Sequence, residues 1–251
     1  MLMDAQIHSV AKVRQMSVPA AVDYSGARHL LATHGWLATT SPAFREALLD
    51  ICEWRHFDEG EVFFGPGDAT GEFFGIAVGC LASTHRWSGN GADIVHVWHP
   101  GEWTSEAPLV SDTPRLGPLV ARTDGLLAVV PAQSLGNLLT AEPTFWLDIA
   151  RQCDQRGLTW AATALDLLRR DSDQRCIASL LRLAGCRFRD PPGGPPYLAP
   201  VSQQELAEAS NQCRNGVSPV LRQLEAAGEI NIGYRRIVIV NSAALRARLD
   251  R

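Results

Sequence analysis

Clustered cysteines are missing from this 251-residue chain. Its six, Cys52, Cys80, Cys153, Cys176, Cys186 and Cys213, stand at least ten residues apart, so neither zinc-type nor iron-sulfur spacing occurs. They read as free thiols of a reducing compartment. Also absent are an apolar run long enough to span a membrane and a basic start followed by an apolar block, and the expectation is a soluble, cytoplasmic protein without a membrane partner. Catalytic signatures are lacking too: no GxxxxGK loop, no Ser-His-Asp order with an elbow motif, no metal-ligand pair. His96 and His99 lie in or beside a strand-like run with no carboxylate at ligand spacing. No catalytic residue, metal ligand or certain cofactor is therefore assigned. A positive charge excess is missing overall, the formal net charge being -4, which argues against a surface that binds nucleic acid everywhere. The 46% hydrophobic content and the length suffice for two domains with real cores.

Residues 201–230 carry the clearest local signals. Ser202 followed by Glu205 is a capping box and starts a helix with Leu206 and Ala207 on its apolar face. Asn211 suits the left-handed conformation of a tight turn. Val217, Val220, Leu221 and Leu224 form a second apolar stripe, which Gly228 ends. Downstream, Ile230–Val240 alternates around Gly233-Tyr234-Arg235, a hairpin with Arg235 and Arg236 near its tip. Residues 201–251 hold seven arginines against five acids, a net of +2. Two short helices, a tight turn and a basic two-stranded wing resemble the DNA-reading end of the Crp/Fnr family of bacterial transcription regulators.

Upstream, Ser41-Pro42 opens a short helix bearing Phe44, Leu48, Ile51 and Cys52. The period then falls to two. Short strand-like runs are separated by Glu59-Gly60, Pro66-Gly67-Asp68, Gly79, Gly89-Asn90-Gly91 and Pro100-Gly101, the spacing of a sandwich or jelly-roll barrel. Residues 119–131 add two strands, a short helix runs through Leu139, and a long helix starts near Pro143. Its stripe of Trp146, Ile149, Cys153, Arg156, Trp160, Thr163 and Leu167 either forms a two-chain seam or packs on its own barrel. Asp171 breaks this helix and caps the next, and residues 189–196 are a surface loop. Residues 1–27 have weak periodicity and read as an arm.

The resemblance thus extends to an α+β architecture: an N-terminal extension over 1–34, a cyclic-nucleotide-binding-like jelly-roll β-barrel over 35–142, a dimerisation helix over 143–170, and a winged helix-turn-helix over 171–251. It implies a homodimer that binds a near-palindromic site in double-stranded DNA, with RNA polymerase as a further partner. Ser202, Gln203, Gln212, Arg214, Asn215, Ser218, Arg222, Arg235 and Arg236 become the DNA-facing candidates. Arg214, Val217 and Ser218 match the family's recognition helix, whereas Asn215, Gly216 and Pro219 depart. The helix either runs from Arg214 or starts late at Ser218-Pro219. In the barrel, Ser105, Glu106, Arg115 and Trp160 fall where effector contacts lie, with Glu106 in the place of the ribose-binding acid and Arg115 in that of the phosphate-binding base. Ser105 replaces a glycine, and Leu116 replaces a hydroxyl residue and offers a phosphate no donor. A cyclic nucleotide, another small molecule and no ligand all stay open, the last with Glu106 and Arg115 paired across an empty barrel. The alternative to a DNA regulator is a non-enzymatic small-molecule or protein-interaction sensor whose DNA reading is degenerate.

Overall fold

A computed structural model describes residues 23–68, 71–85, 93–106, 115 and 117–250. The expected turn at Gly89-Asn90-Gly91, residues 1–22 and Leu116 lie outside these. The chain divides into two compact units: one from the described parts of 18–85 and 98–161, the other from those of 86–97 and 162–251.

The first unit is organised by strands that bury both faces. Helices α1 (Tyr24–Thr33) and α2 (Pro42–Asp50) precede β1 (Glu53–Phe57), β2 (Val62–Phe64), β3 (Glu72–Val78), β4 (Leu81–His85), β5 (Asp93–Trp98, of which Trp98 alone belongs to this unit), β6 (Trp103–Thr104), β7 (Leu119–Ala121) and β8 (Gly125–Pro131). One antiparallel sheet has the order β1-β8-β3-β6. In the other, β7 lies between β2 and β4. Because side chains alternate along a strand, Phe73 and Ala77 of β3 and Leu126, Ala128 and Val130 of β8 enter one core with Leu31, Trp36, Phe44 and Leu48. Their neighbours Phe74, Ile76, Leu127 and Val129 enter a second core with Phe57, Leu81, Trp98 and Leu119.

Residues 24–27, expected in an irregular arm, instead begin α1. The Asp23 carboxylate accepts from the Gly26 amide at 2.9 Å, and Ala27 and Leu31 bury against the sheet side of the core. Two buried positions in ten residues leave too weak a period to see in sequence. The α2 start agrees with its Ser41-Pro42 signal, Ser41 Oγ accepting from the Phe44 amide at 3.3 Å.

After β8 come α3 (Ala132–Ala141), a 3-10 turn at Pro143–Phe145, and the long α4 (Trp146–Leu167). Asp148 anchors its start: the buried carboxylate accepts from Ser41 Oγ at 2.9 Å, and its carbonyl accepts from Trp36 Nε1 at 2.9 Å. Of the two roles weighed for the sequence stripe, packing on its own barrel holds in its middle. Ile149 lies in the first core, Trp160 packs on the second, and Arg156 pairs with Glu106. The exposed face is a different four-three repeat, Leu147, Arg151, Asp154, Leu158, Ala161, Leu165 and Leu168. Both stripes fit a helical period, and only packing distinguishes them.

The second unit contains α5 (Ser172–Leu183), β9 (Tyr197–Ala199), α6 (Gln203–Ala209), α7 (Arg214–Ala226), β10 (Ile230–Gly233), β11 (Arg236–Ile239) and α8 (Ser242–Ala247). Asp171 caps α5 by accepting from the Gln174 amide at 2.9 Å. The capping box of α6 is complete: Ser202 Oγ accepts from the Glu205 amide, and the Ser202 amide donates to Glu205 Oε2 at 2.6 Å. Asn211 adopts φ 53°, as a tight turn demands, and Gly228 ends α7 at φ 71°. Leu206, Ala207, Val217, Val220, Leu221 and Leu224 are all buried, so the two predicted stripes are the real ones. The wing pairs Ile230 with Ile239 and Gly233 with Arg236, and β9 adds a third strand beside β11. Asp166, at the end of α4, is held bidentately by Arg187 at 2.7 and 2.8 Å, and buried Arg182 donates to the carbonyls of Val95 and Ala209.

Gly125 pairs opposite Phe57, where an added Cβ would stand 2.1 Å from the Phe57 ring and 2.3 Å from the Val78 carbonyl. Neither backbone nor a core ring can yield that distance cheaply. Gly125→Ala is expected to lower unfolding stability by about 1–3 kcal/mol in urea denaturation; an unchanged midpoint would show that β1 and β8 are not packed this closely.

Candidate effector pocket and nucleic-acid interface

In the barrel unit, β6 leads directly into the first candidates. Ser105 has φ 80°, the left-handed region that favours glycine, and its buried Oγ has no hydrogen-bond partner. The serine thus keeps a glycine's backbone at a cost of roughly 1–3 kcal/mol. Glu106 follows, only 6% exposed. It is held by an arginine from α4: Arg156 Nε donates to Oε1 at 2.8 Å and Nη2 to Oε2 at 3.1 Å. Arg156 Nη2 also donates to the Trp103 carbonyl at 2.5 Å, a carbonyl shared with Gln152 Nε2 at 2.9 Å. The guanidinium lies 3.9 Å from the centroid of Trp98, whose indole N–H donates to Ser83 Oγ at 2.8 Å. Trp98 and Trp160 meet edge to face at 6.4 Å.

Arg115 is 8% exposed, with its guanidinium 3.5 Å from the Phe64 centroid and its Nε without a hydrogen-bond partner. Burial lowers its pKa, against the opposing pull of Glu72 and Asp68. No carboxylate among the described residues forms an ion pair with it. The Glu106–Arg115 pairing weighed from sequence is therefore replaced by Glu106–Arg156. Glu106 and Trp160 are joined through Arg156 and Trp98, while Arg115 sits on Phe64, packed against the same core as Trp160. Arg156 was missed as a pocket residue although it stands one helical turn before Trp160, because its place in an apolar-looking stripe assigned it to a seam.

In the second unit, Gln203, Asn215, Ser218 and Arg222 line a cleft of about 460 Å³ between α6 and α7. Ser218 Oγ donates to Gln203 Oε1 at 3.0 Å, a bond that does not use the Gln203 amide hydrogens. Arg214 and Asn215 are exposed at the first turn of α7. The late-start alternative is overturned: α7 begins at Arg214 and runs through Pro219, whose missing amide leaves the Asn215 carbonyl without its ladder bond. Two further candidates are engaged internally. Ser202 caps α6, and Gln212 Nε2 donates to the Ser172 carbonyl at 2.8 Å.

The arginines of this end fall into two sets. Arg246 pairs with Asp190 at 2.9 Å and Arg248 with Glu229 at 2.7 Å, each hydrogen bond raising the arginine's pKa. Arg214, Arg222, Arg235 and Arg236 form no ion pair with a described residue. Arg235 sits at the wing tip with φ 53°, beside Tyr234, which is 90% exposed, and Arg236 packs its stem across Gly233. All six cysteines are free, and burial pushes the Cys80, Cys176 and Cys186 thiols up to about 12. Among the described residues no group of three His, Cys, Asp or Glu side chains is placed to hold a metal, and no helix is long and apolar enough to cross a membrane.

A family model for the cyclic nucleotide-binding domain matches residues 54–142, and one for the Crp-like helix-turn-helix domain matches 174–248. Solved structures of similar fold include the c-di-GMP responsive global regulator CLP of Xanthomonas campestris, with TM-score 0.60 and 23% identity over 80% of this chain and 99% of that one. A CRP/FNR family transcriptional regulator from Thermus thermophilus gives TM-score 0.60 and 21% identity over 79% and 99%. FixK2 from Bradyrhizobium japonicum gives 0.57 and 18% over 80% and 96%. At these identities the likeness is one of fold. Among curated protein sequences nothing matches.

Replacing the left-handed serine tests the pocket's backbone. Ser105→Gly is expected to raise stability by about 0.5–1 kcal/mol, read as a higher urea midpoint; a lower midpoint would mean that Ser105 is not under strain.

Proposed function

Since the chain is a transcription regulator of the Crp/Fnr family, a cyclic-nucleotide-binding fold followed by a Crp-like helix-turn-helix, we propose that it reads a near-palindromic operator as a homodimer through α7 and the wing. The observation that supports this most is the sorting of arginines. Four cationic side chains on α7 and the wing are left without acidic partners among the described residues, while Arg246 and Arg248 of the same unit are neutralised. Unpaired guanidinium groups on a helix and a hairpin tip offer phosphate contacts and base-edge donors at once. Arg214 and Asn215, at the first turn, take the base-reading role, in which an arginine forks to guanine and an asparagine to adenine. Arg222 and the Gln203 amide, lining the cleft, take the phosphate role.

Dimerisation is assigned to the exposed repeat of α4. Leu158 is 63% exposed and Leu168 76%, and with Leu147 and Leu165 they form an apolar seam in four-three spacing that water would otherwise cover. Two copies joined there would bring two copies of α7 to one near-palindromic site.

Selection of genomic fragments by the purified full-length protein is expected to enrich one near-palindromic motif. On that motif Arg214→Ala should weaken binding about 5- to 150-fold, the loss of one bidentate base contact, and Arg222→Ala should flatten the salt dependence by about one unit of slope. Absence of an enriched motif would remove the operator-reading role. For the seam, Leu158→Asp together with Leu165→Asp is expected to shift sedimentation from dimer to monomer at micromolar concentration; a dimer that survives both changes places the interface elsewhere.

A further inference from the structure

Pro219 stands inside α7 rather than at its start, and it is exposed. Proline is the least favourable residue for a helix interior, and this one removes the ladder bond to the Asn215 carbonyl. Packing does not offset that loss, because the buried side of the helix is made by Val217, Val220, Leu221 and Leu224. A residue that breaks a local rule without supporting the core points to a role in contact.

The helical period says where that contact lies. At about 100° per residue, Asn215, Pro219 and Arg222 fall within about 60° of one another, on the side opposite the buried stripe. All three are exposed. Ser218, at the edge of this face, is turned to α6 by its bond to Gln203. Pro219 thus stands one turn beyond Asn215, about 6 Å along the axis, within the first two turns of the helix that meets base edges in helix-turn-helix proteins. Since base pairs stack about 3.4 Å apart, the two side chains face base pairs one or two steps apart. Positions 215 and 219 are also two of those at which the helix departs from the family pattern, so the preferred operator departs with it.

A pyrrolidine ring neither donates nor accepts a hydrogen bond. Among the groups that line the major groove the 5-methyl of thymine is the apolar one, whereas the donors and acceptors of other base edges would lose their water against such a ring and gain no partner. The ring is also rigid, so contact costs no rotamer freedom. Building on the operator reading by α7, we infer that Pro219 is a specificity-determining residue: its ring packs on the methyl group of a thymine, one or two base pairs from the pair that Asn215 reads.

The test uses the full-length protein and the motif enriched from genomic fragments, with binding followed by fluorescence anisotropy at one salt concentration. Each thymine of one half-site, on either strand, is replaced in turn by deoxyuridine, which removes the 5-methyl and leaves every hydrogen-bonding group in place. At one position the unmodified protein is expected to lose about three- to tenfold in affinity, the loss of one buried methyl contact. In Pro219→Gly, which restores the amide and removes the ring, the same replacement is expected to cost less than about twofold. The inference is overturned if no deoxyuridine costs the unmodified protein threefold, a result that needs no variant to fold, or if the cost in folded Pro219→Gly stays at twofold or more. Absence of any enriched motif sinks the operator reading and this inference together, whereas a motif indifferent to the thymine methyl sinks this inference alone.

Discussion

A guanidinium taken out of water must be met by an anion, a carbonyl or an aromatic face, and the way this chain meets that demand decides what each unit offers. In the barrel, Arg156 finds all three in Glu106, the Trp103 carbonyl and Trp98. Arg115, among the described residues, stacks on the Phe64 face without an ion pair. In the second unit, Arg187, Arg246 and Arg248 are matched to Asp166, Asp190 and Glu229 and act as struts. Arg214, Arg222 and Arg235 are exposed and Arg236 is half-buried, none of them in an ion pair with a described residue, and a cationic surface is therefore concentrated on one helix and one hairpin although the chain as a whole is acidic.

The barrel can hold this arrangement because its central strands have no polar face. β3 and β8 bury alternate residues in two separate cores, which places Trp98, Phe64 and Trp160 around one of them and Trp36, Phe44 and Phe73 around the other. Close approach follows. Trp103 leans on Gly75, where a side chain would meet its indole at 2.7 Å, and that contact brings the Trp103 carbonyl and the neighbouring Glu106 to a definite place beside α4. The left-handed Ser105 between them is the strained joint of this corner.

Much of the frame was legible because its signals are local. Ser41-Pro42, Asp171, the Ser202 and Glu205 box, Asn211 and Gly228 each satisfy an amide or a backbone angle within a few residues of themselves, so each could be read before any fold was known. Short or weakly patterned elements were missed, even where Asp23 and Asn241 cap the helices that follow them. β9 is three residues after a proline-rich loop, α8 is six residues, and α1 buries two side chains; each is stabilised by what it packs on rather than by its own pattern. Of the candidate site residues, the exposed arginines could be located from sequence, whereas the internal engagement of Ser202 and Gln212 and the partner of Glu106 could not.

The sequence by itself determined the two helices α6 and α7, their turn, the basic wing and most of the strands and helices before them, since helix caps, turn residues and apolar periods act over distances shorter than one element. Tertiary structure alone decided which stripe of α4 faces inward. Two stripes on that helix have acceptable periodicity, and a period carries no information about what stands opposite it. Only when Trp98, Trp103 and Glu106 are brought beside the helix does Arg156 become the partner of Glu106 and Leu158 an exposed residue. That choice rests on residues as far apart as Glu106 and Arg156, separated by 50 positions in the chain, too far for any local pattern to record.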